Sequence, residues 1–177
     1  MLAGSETVAR AWQVLATVLD PEVPAVSVRD LGIVRNVIEH ADHLEIVLTP
    51  TYSGCPATEV IEADVLAAIA AAGLGPARVS LRRAPAWTTD WISAEGRAKL
   101  LAYGIAPPSP TRGGEGPNGA VRAVPIRFIG RPRLKPLTCP RCNSQNTELL
   151  SAFGSTACKA TWRCLACLEP FEHFKPI

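Results

Sequence analysis

Cys139-Pro-Arg-Cys142 and Cys164-Leu-Ala-Cys167 form two Cys-x-x-Cys pairs near the end of the chain. Each short loop can turn two thiolates toward one ion, and the two pairs together complete the tetrahedron that a structural zinc takes. The separation of the pairs is long for such a site, but the module around them holds few large apolar residues and needs a staple to fold. An iron centre held by the same thiolates, Cys139, Cys142, Cys164 and Cys167, is the competing occupant. With every position filled by protein, no place is left for a substrate, so these residues read as a zinc ribbon that staples a fold and carries no catalysis. Cys158 is a further thiol of the same module and stays outside that site.

A second thiol chemistry is legible in Thr51-Tyr-Ser-Gly-Cys-Pro-Ala57, where Cys55 stands between a glycine and a proline. On a turn from strand to helix its sulfur would lie near a helix N-terminus, whose free N–H groups and dipole favour a thiolate. Gly54 would allow close approach of backbone or ligand, and Thr51, Tyr52 and Ser53 supply hydroxyls around the same turn. A small buried cysteine with no function is the plain alternative. Asp20, Glu22 and Asp30 are candidates to gather near Cys55, although an acid before a proline or at a turn needs no function either. A Cys–His hydrolase is disfavoured, because His40 and His43 flank a hairpin turn at the opposite strand ends and His173 lies in the tail.

The elements that must position these residues follow from periodicity. Val8, Trp12, Leu15 and Leu19 recur at helical spacing, which predicts a helix from Glu6 to Leu19 with Ser5 as cap and Asp20-Pro21 as stop. Residues 33–39 and 43–49 alternate as two strands of a hairpin, with Leu44, Ile46 and Leu48 on one face. From Pro56 a stripe of Val60, Ile61, Val65 and Ile69 predicts a helix ending at Gly73, and Val79 and Leu81 mark a third strand. A further helix is expected in "SAEGRAKLLAYG", capped by Ser93 and stopped by Gly104. The expected fold is α/β of the α+β type: a small α-β-β-α-β domain over residues 1–106, then a zinc-ribbon module over 138–177. Between them, residues 107–137 begin with a Pro/Gly-rich linker and continue through a basic stretch holding Arg122, Arg127, Arg131, Arg133 and Lys135. In the ribbon, "TELLSAFGS" and "KATWRC" read as strands.

With 47% hydrophobic residues, 19% charged and a net charge of +2, the chain has the composition of an ordinary globular protein. That excludes a disordered chain and a strongly nucleic-acid-tuned one. The start has no basic segment leading into an apolar run, and the most apolar stretch, "VLAAIAAAGLG", is too short to span a bilayer. A cytoplasmic protein with reduced thiols is expected, so the six cysteines are read as metal ligands and free thiols, not disulfides.

"DPEVPAVSVRDLG", a hairpin, and "TPTYSGCPA" opening a helix together resemble the iron-sulfur cluster assembly domain family. Asp20, Pro21, Glu22, Asp30, Leu31, Gly32, Gly54, Cys55 and Pro56 match its elements in order. The segments "PAWTTDWISAEGRAKLLAYGIAPP" and "CPRCNSQNTELLSAFGSTACKATWRC" extend the resemblance to the family of small accessory subunits associated with the phenylacetyl-CoA ring-1,2-epoxidase. The resemblance implies an accessory or maturation role, with Cys55, Thr51, Asp20 and Glu22 in transient handling of iron or an iron-sulfur cluster. It implies as partners the other subunits of that complex, notably the iron-sulfur flavin reductase. One thiol cannot hold a cluster alone, so a homodimer or a partner must supply ligands. The chain agrees by omission, having neither paired Glu-x-x-His motifs nor a Gly-rich dinucleotide fingerprint. A purely structural subunit and a nucleic-acid-binding ribbon stand as alternatives. Leu168 departs from the pattern, occupying the place after a knuckle's second cysteine where glycine is common.

Overall fold

The computed structural model describes residues 6–52, 54–108 and 136–176. Ser5, Ser53 and nearly all of the linker and basic stretch, including Arg122, Arg127, Arg131, Arg133 and Lys135, lie outside the described residues.

Helix α1 runs Glu6–Leu15 and buries Ala11 and Leu15 completely. It stops short of the Leu19 expected from periodicity because the Val14 carbonyl accepts from both the Thr17 N–H (2.9 Å) and the Thr17 hydroxyl (2.7 Å). These short-range bonds compete with helix continuation. Leu19 instead bridges to Ser27, and the chain from 18 to 28 closes a loop around Asp20-Pro-Glu22. Strands β1 (Val34–Glu39) and β2 (Leu44–Leu48) form the antiparallel hairpin, and β3 (Ala77–Leu81) joins β2 in parallel. Helix α2 (Ala57–Ala71) makes the crossover between them that parallel pairing requires. The sheet order is β1-β2-β3, with α1 and α2 packed on each other and against β1 and β3. As the central strand, β2 buries Leu44, Ile46, Val47 and Leu48, on both of its faces.

The Asp-Leu-Gly turn is a docking platform. Asp30 accepts from the Ser27 N–H (3.0 Å) and from Lys99 Nζ (2.9 Å), while its carbonyl accepts from the Ser93 N–H (2.9 Å). Burial opposes its charge, but these donors hold its carboxyl below the usual range. The Leu31 carbonyl accepts from the Trp87 indole (2.9 Å). Gly32 sits at φ 68°, and a Cβ there would lie 2.6 Å from the Trp91 carbonyl oxygen. The turn thereby seats the segment from Trp87 through a 3-10 turn (Thr89–Trp91) into helix α3 (Ala94–Tyr103). That helix is capped by the Ser93 hydroxyl and ended by Gly104 at φ 95°, as periodicity and cap residues predict. Gly32→Ala adds left-handed strain of about 1–2 kcal/mol to an overpacking cost of about 1–3 kcal/mol. A urea midpoint unchanged by that substitution would refute this account of the turn.

Three strands form the ribbon: β5 (Thr147–Ser151), β6 (Lys159–Cys164) and β7 (Pro170–Phe174), paired antiparallel in sequence. A two-residue strand, β4 (Ile105–Ala106), pairs in parallel with β7, so the sheet order is β4-β7-β6-β5. The segment leaving α3 is therefore the edge of the ribbon's sheet. The ribbon has a small apolar core of its own, made by Ala106, Ala160, Trp162, Phe171 and the buried cysteines Cys139 and Cys164. Its end joins the larger core: Phe174, 2% exposed, and Cys158 pack in one cluster with Val23, Leu31, Ile33, Leu48 and Ile61. The Phe174 ring lies 5.9 Å from the Trp87 ring, centroid to centroid. Among the described residues, no helix is long and apolar enough to cross a membrane.

Candidate functional site

The sulfurs of Cys139, Cys142, Cys164 and Cys167 all lie within 4.8 Å of one another. Cys139 and Cys167 approach to 3.8 Å, and Cys142 and Cys164 to 3.5 Å. A tetrahedral zinc with bonds of about 2.3 Å sets sulfur–sulfur edges of roughly 3.8 Å, so the four thiols fit that ion. Backbone N–H groups of Arg141 (to Cys139 Sγ, 3.4 Å) and of Ala166 (to Cys164 Sγ, 3.4 Å) point back at the sulfurs. The Cys167 N–H, burial working against it, and the Ala166 N–H bring the Cys164 thiol down to about 6, whereas Cys142, despite a bond from the Ser144 backbone, is pushed up to about 12 by Cys164 and the other thiols around it.

Both knuckles close through a left-handed residue, Asn143 at φ 60° and Leu168 at φ 64°. Asparagine tolerates that conformation, whereas leucine is strained in it. Leu168 is 72% exposed and gains little from burial in return. Leu168→Gly is therefore expected to raise stability by about 1 kcal/mol, seen as a higher urea midpoint of the zinc-loaded protein. A lower midpoint would show that the leucine side chain holds something the strain argument omits.

The second site is a cavity of about 20 Å³ between the first domain and the ribbon. Asp20, Glu22, Thr51 and Cys55 all line it, together with apolar walls that include Leu31, Leu48 and Ile61. Phe174 and Cys158 of the ribbon complete the lining. Cys55 is half-buried and immediately precedes Pro56, the N-cap of α2, and its carbonyl accepts from the Thr58 N–H (3.2 Å). Gly54 takes φ 82° with nothing within 4 Å of a built Cβ, so backbone conformation, not crowding, calls for glycine here. Asp30 is elsewhere, bound to Ser27 and Lys99, and only Asp20 and Glu22 of the three candidate acids reach the cavity.

Charge is arranged around this cavity. Asp20 Oδ1 accepts from the Glu22 N–H (2.9 Å) and the Val23 N–H (2.8 Å), which shapes the Asp-Pro-Glu loop. Burial raises the Asp20 carboxyl despite those donors, and burial followed by the Asp20 charge raises Glu22. Lys159, almost wholly buried, bonds Glu172 at 3.0 Å and its field opposes both shifts. Burial, and then the neighbouring Cys55, push the Tyr52 hydroxyl up to about 12, so it stays a neutral donor beside the thiol. Burial likewise raises the Cys158 thiol, although the Thr156 hydroxyl, 3.0 Å away, and Lys159 counter it. No histidine lines the cavity; His40 and His43 stack at the β1–β2 turn, with ring centroids 4.6 Å apart. Sequence reasoning misses Cys158 and Lys159, because only the docking of the ribbon brings them to residues so distant in the chain.

Comparison with known proteins follows the two-part architecture. Residues 9–81 match the family model described as iron-sulfur cluster assembly protein, and residues 131–175 match the PaaD zinc beta ribbon domain. The chain is 43% identical over 166 residues to a putative 1,2-phenylacetyl-CoA epoxidase subunit of Escherichia coli K12, covering 94% of this chain and 91% of that one. It is 36% identical over 90 residues to an Fe-S protein maturation auxiliary factor of Porphyromonas gingivalis, covering 50% of this chain and 85% of that protein. A crystal structure of a domain of unknown function, DUF59, from Bacillus anthracis superposes with TM-score 0.50 at 25% identity, covering 53% of this chain and 91% of that domain.

Proposed function

The chain belongs to the PaaD family of 1,2-phenylacetyl-CoA epoxidase subunits, and from that premise we propose that it is a cytoplasmic maturation factor of the epoxidase. Its accessory character follows from its relatives; the finer reading is that it assists iron or iron-sulfur cluster assembly in the oxygenase or reductase subunits. The iron-sulfur flavin reductase is the client that such a cargo suits best. The observation that carries this reading is the convergence of Cys55, Asp20, Glu22 and Thr51 on one small cavity, with Tyr52 beside the thiol.

Each group has a role in handling a soft cation. Cys55 supplies the thiolate, since the thiolate and not the thiol is the metal ligand. Binding a cation releases its proton, and Asp20 and Glu22, whose carboxyls burial raises, are stronger bases than exposed acids. Tyr52 remains protonated and offers a hydrogen bond to sulfur. A site with so few ligands holds its cargo weakly, and a client protein or a second copy of this chain completes the set during transfer. The ribbon's four thiols would leave a bound ion no open coordination position, so its metal serves structure and not transfer.

Replacing the native protein by Cys55→Ser in cells that depend on phenylacetate tests the reading. Cluster content of the reductase and growth on phenylacetate should both fall while the variant accumulates normally. Unchanged cluster loading and growth would end it.

A further inference from the structure

Strand β3 leaves one side of its backbone without a partner. It pairs only with β2, in parallel, and stands at the edge of the three-stranded sheet. The Pro76 carbonyl accepts from the Leu44 N–H (2.9 Å) and the Arg82 N–H donates to the Leu48 carbonyl (2.8 Å), so even-numbered residues turn their polar backbone groups to β2. Those of Ala77, Val79 and Leu81 turn outward, and none of the described residues hydrogen-bonds them. Side chains sort by the same alternation. Val79 and Leu81 share the core face of Ile46 and Leu48, whereas Arg78, Ser80 and Arg82 lie on the opposite face. Arg78, Leu81, Arg82 and Arg83 are all exposed, and among the described residues no carboxylate pairs with any of these three arginines. Other edges differ: at β5, Arg163 bonds Glu148, and on β1, Arg35 lies 3.5 Å over the Trp91 ring. Charges on an edge guard it against copies of the same strand, and three unpaired cations do that here. The same charges make the edge complementary to an acidic strand.

We propose that the β3 edge docks an extended segment of a client protein, acidic at alternate positions and apolar between them, as a fourth strand of the sheet. The outward N–H and C=O groups of Ala77, Val79 and Leu81 supply its main-chain bonds. Its acidic side chains fall beside Arg78 and Arg82 and its apolar ones beside Val79 and Leu81, because paired neighbours in a sheet share a face. Leu81 ties the edge to function. It is 40% exposed and also lines the cavity that Cys55 lines, so a segment paired here brings one of its ends to that cavity. This rests on the maturation reading of Cys55 and specifies how the client is held beside it. A second copy of the chain suits the edge less well, since it would set the arginines of one strand beside those of the other.

The test uses the full chain, zinc-loaded, reduced and isotope-labelled, with a peptide of about eight residues that alternates valine and glutamate. Backbone resonances of Ala77, Val79 and Leu81 should shift on binding, and their amides should gain protection from exchange. The same peptide methylated on the nitrogens that face β3 should not bind, because main-chain bonds give such pairing its affinity. Added salt should weaken the native complex. Replacing Arg78→Glu and Arg82→Glu together should weaken it by more than about tenfold. That variant should instead take up the valine–lysine counterpart, which the native chain refuses; a merely damaged fold gives no such inversion. Absence of binding, equal binding of the glutamate and lysine peptides, or shifts confined to β1 or β5 overturns the proposal. So does a dimer of the free chain whose Ala77, Val79 and Leu81 amides are already protected, which would give the edge to a second copy. The maturation reading fails separately. Cys55→Ser should bind the peptide as the native chain does, and unchanged reductase loading by that variant in cells would end the iron-handling role without touching the edge.

Discussion

Removing the ribbon's metal with a chelator is expected to lower the melting temperature of the whole chain, by about 10 °C or more, and not merely to unravel residues 138–177. Binding to four thiolates of this kind contributes on the order of 10–16 kcal/mol of folding free energy in isolated zinc modules. The ribbon has little to replace it, since its private core consists largely of Ala106, Ala160, Trp162, Phe171 and the ligand cysteines themselves. Its loss reaches the first domain because Phe174 and Cys158 pack in that domain's core and β4 pairs with β7. Withdrawing an aromatic from a core costs about 3–5 kcal/mol, and for a chain of this size each kcal/mol moves the midpoint by about 2–4 °C. Trp87, in ring contact with Phe174, supplies a fluorescence signal inside the first domain. Calorimetry with and without chelator, read beside that fluorescence, should show one transition moving down. Two transitions, with only the smaller one sensitive to chelator, would mean that the ribbon and the first domain are energetically independent.

What the sequence discloses and what it withholds divide along the range of the interactions. The two Cys-x-x-Cys knuckles are local, and so are readable at once, down to the left-handed place occupied by Leu168. Ser93 and Gly104 bound α3 as their chemistry predicts, and the α-β-β-α-β order follows from periodicity alone. Helix α1 ends early because Thr17 turns its hydroxyl and N–H to Val14, a competition that a hydrophobic stripe does not register. Strands β4 and β7 escape periodicity for a different reason. Ile105–Ala106 is a strand only because Glu172 and His173 offer it a partner, and "PFEHF" is too short for alternation to speak. The candidate site shows the same limit. Cys55, Thr51, Asp20 and Glu22 are recoverable from motif and resemblance, and the structure puts all of them on one cavity. Cys158 is not, since nothing around "STACKA" reveals that docking will carry it across to them. Asp30, by contrast, looks in sequence like a third acid of the site, and is instead the anchor of Ser27 and Lys99.

Phe174→Ala should be the most damaging single side-chain truncation at the junction of the two modules, lowering stability by about 3–5 kcal/mol. Phe174 is among the largest fully buried side chains, and it packs against Trp87 while forming part of the wall between Cys158 and the first domain. Truncation therefore has two consequences that can be separated. Stability falls because apolar area is lost and the space left behind cannot close, whereas access to Cys55 and Cys158 rises because their cavity opens toward solvent. Phe171→Ala is the matched control, since Phe171 belongs to the ribbon's private core and does not line the cavity. Both variants should lower the urea midpoint, but only Phe174→Ala should speed alkylation of Cys55 and Cys158 in zinc-loaded protein, resolved residue by residue by peptide mass. Zinc protects the other four thiols, so the measurement isolates these two. If Phe171→Ala exposes them equally, loosening of the ribbon's own core is enough to uncover the two thiols, and Phe174 has no special part in covering them. If Phe174→Ala alone does so, the Phe174 ring itself closes the cavity over the two thiols, and the ribbon keeps its own fold when that ring is lost.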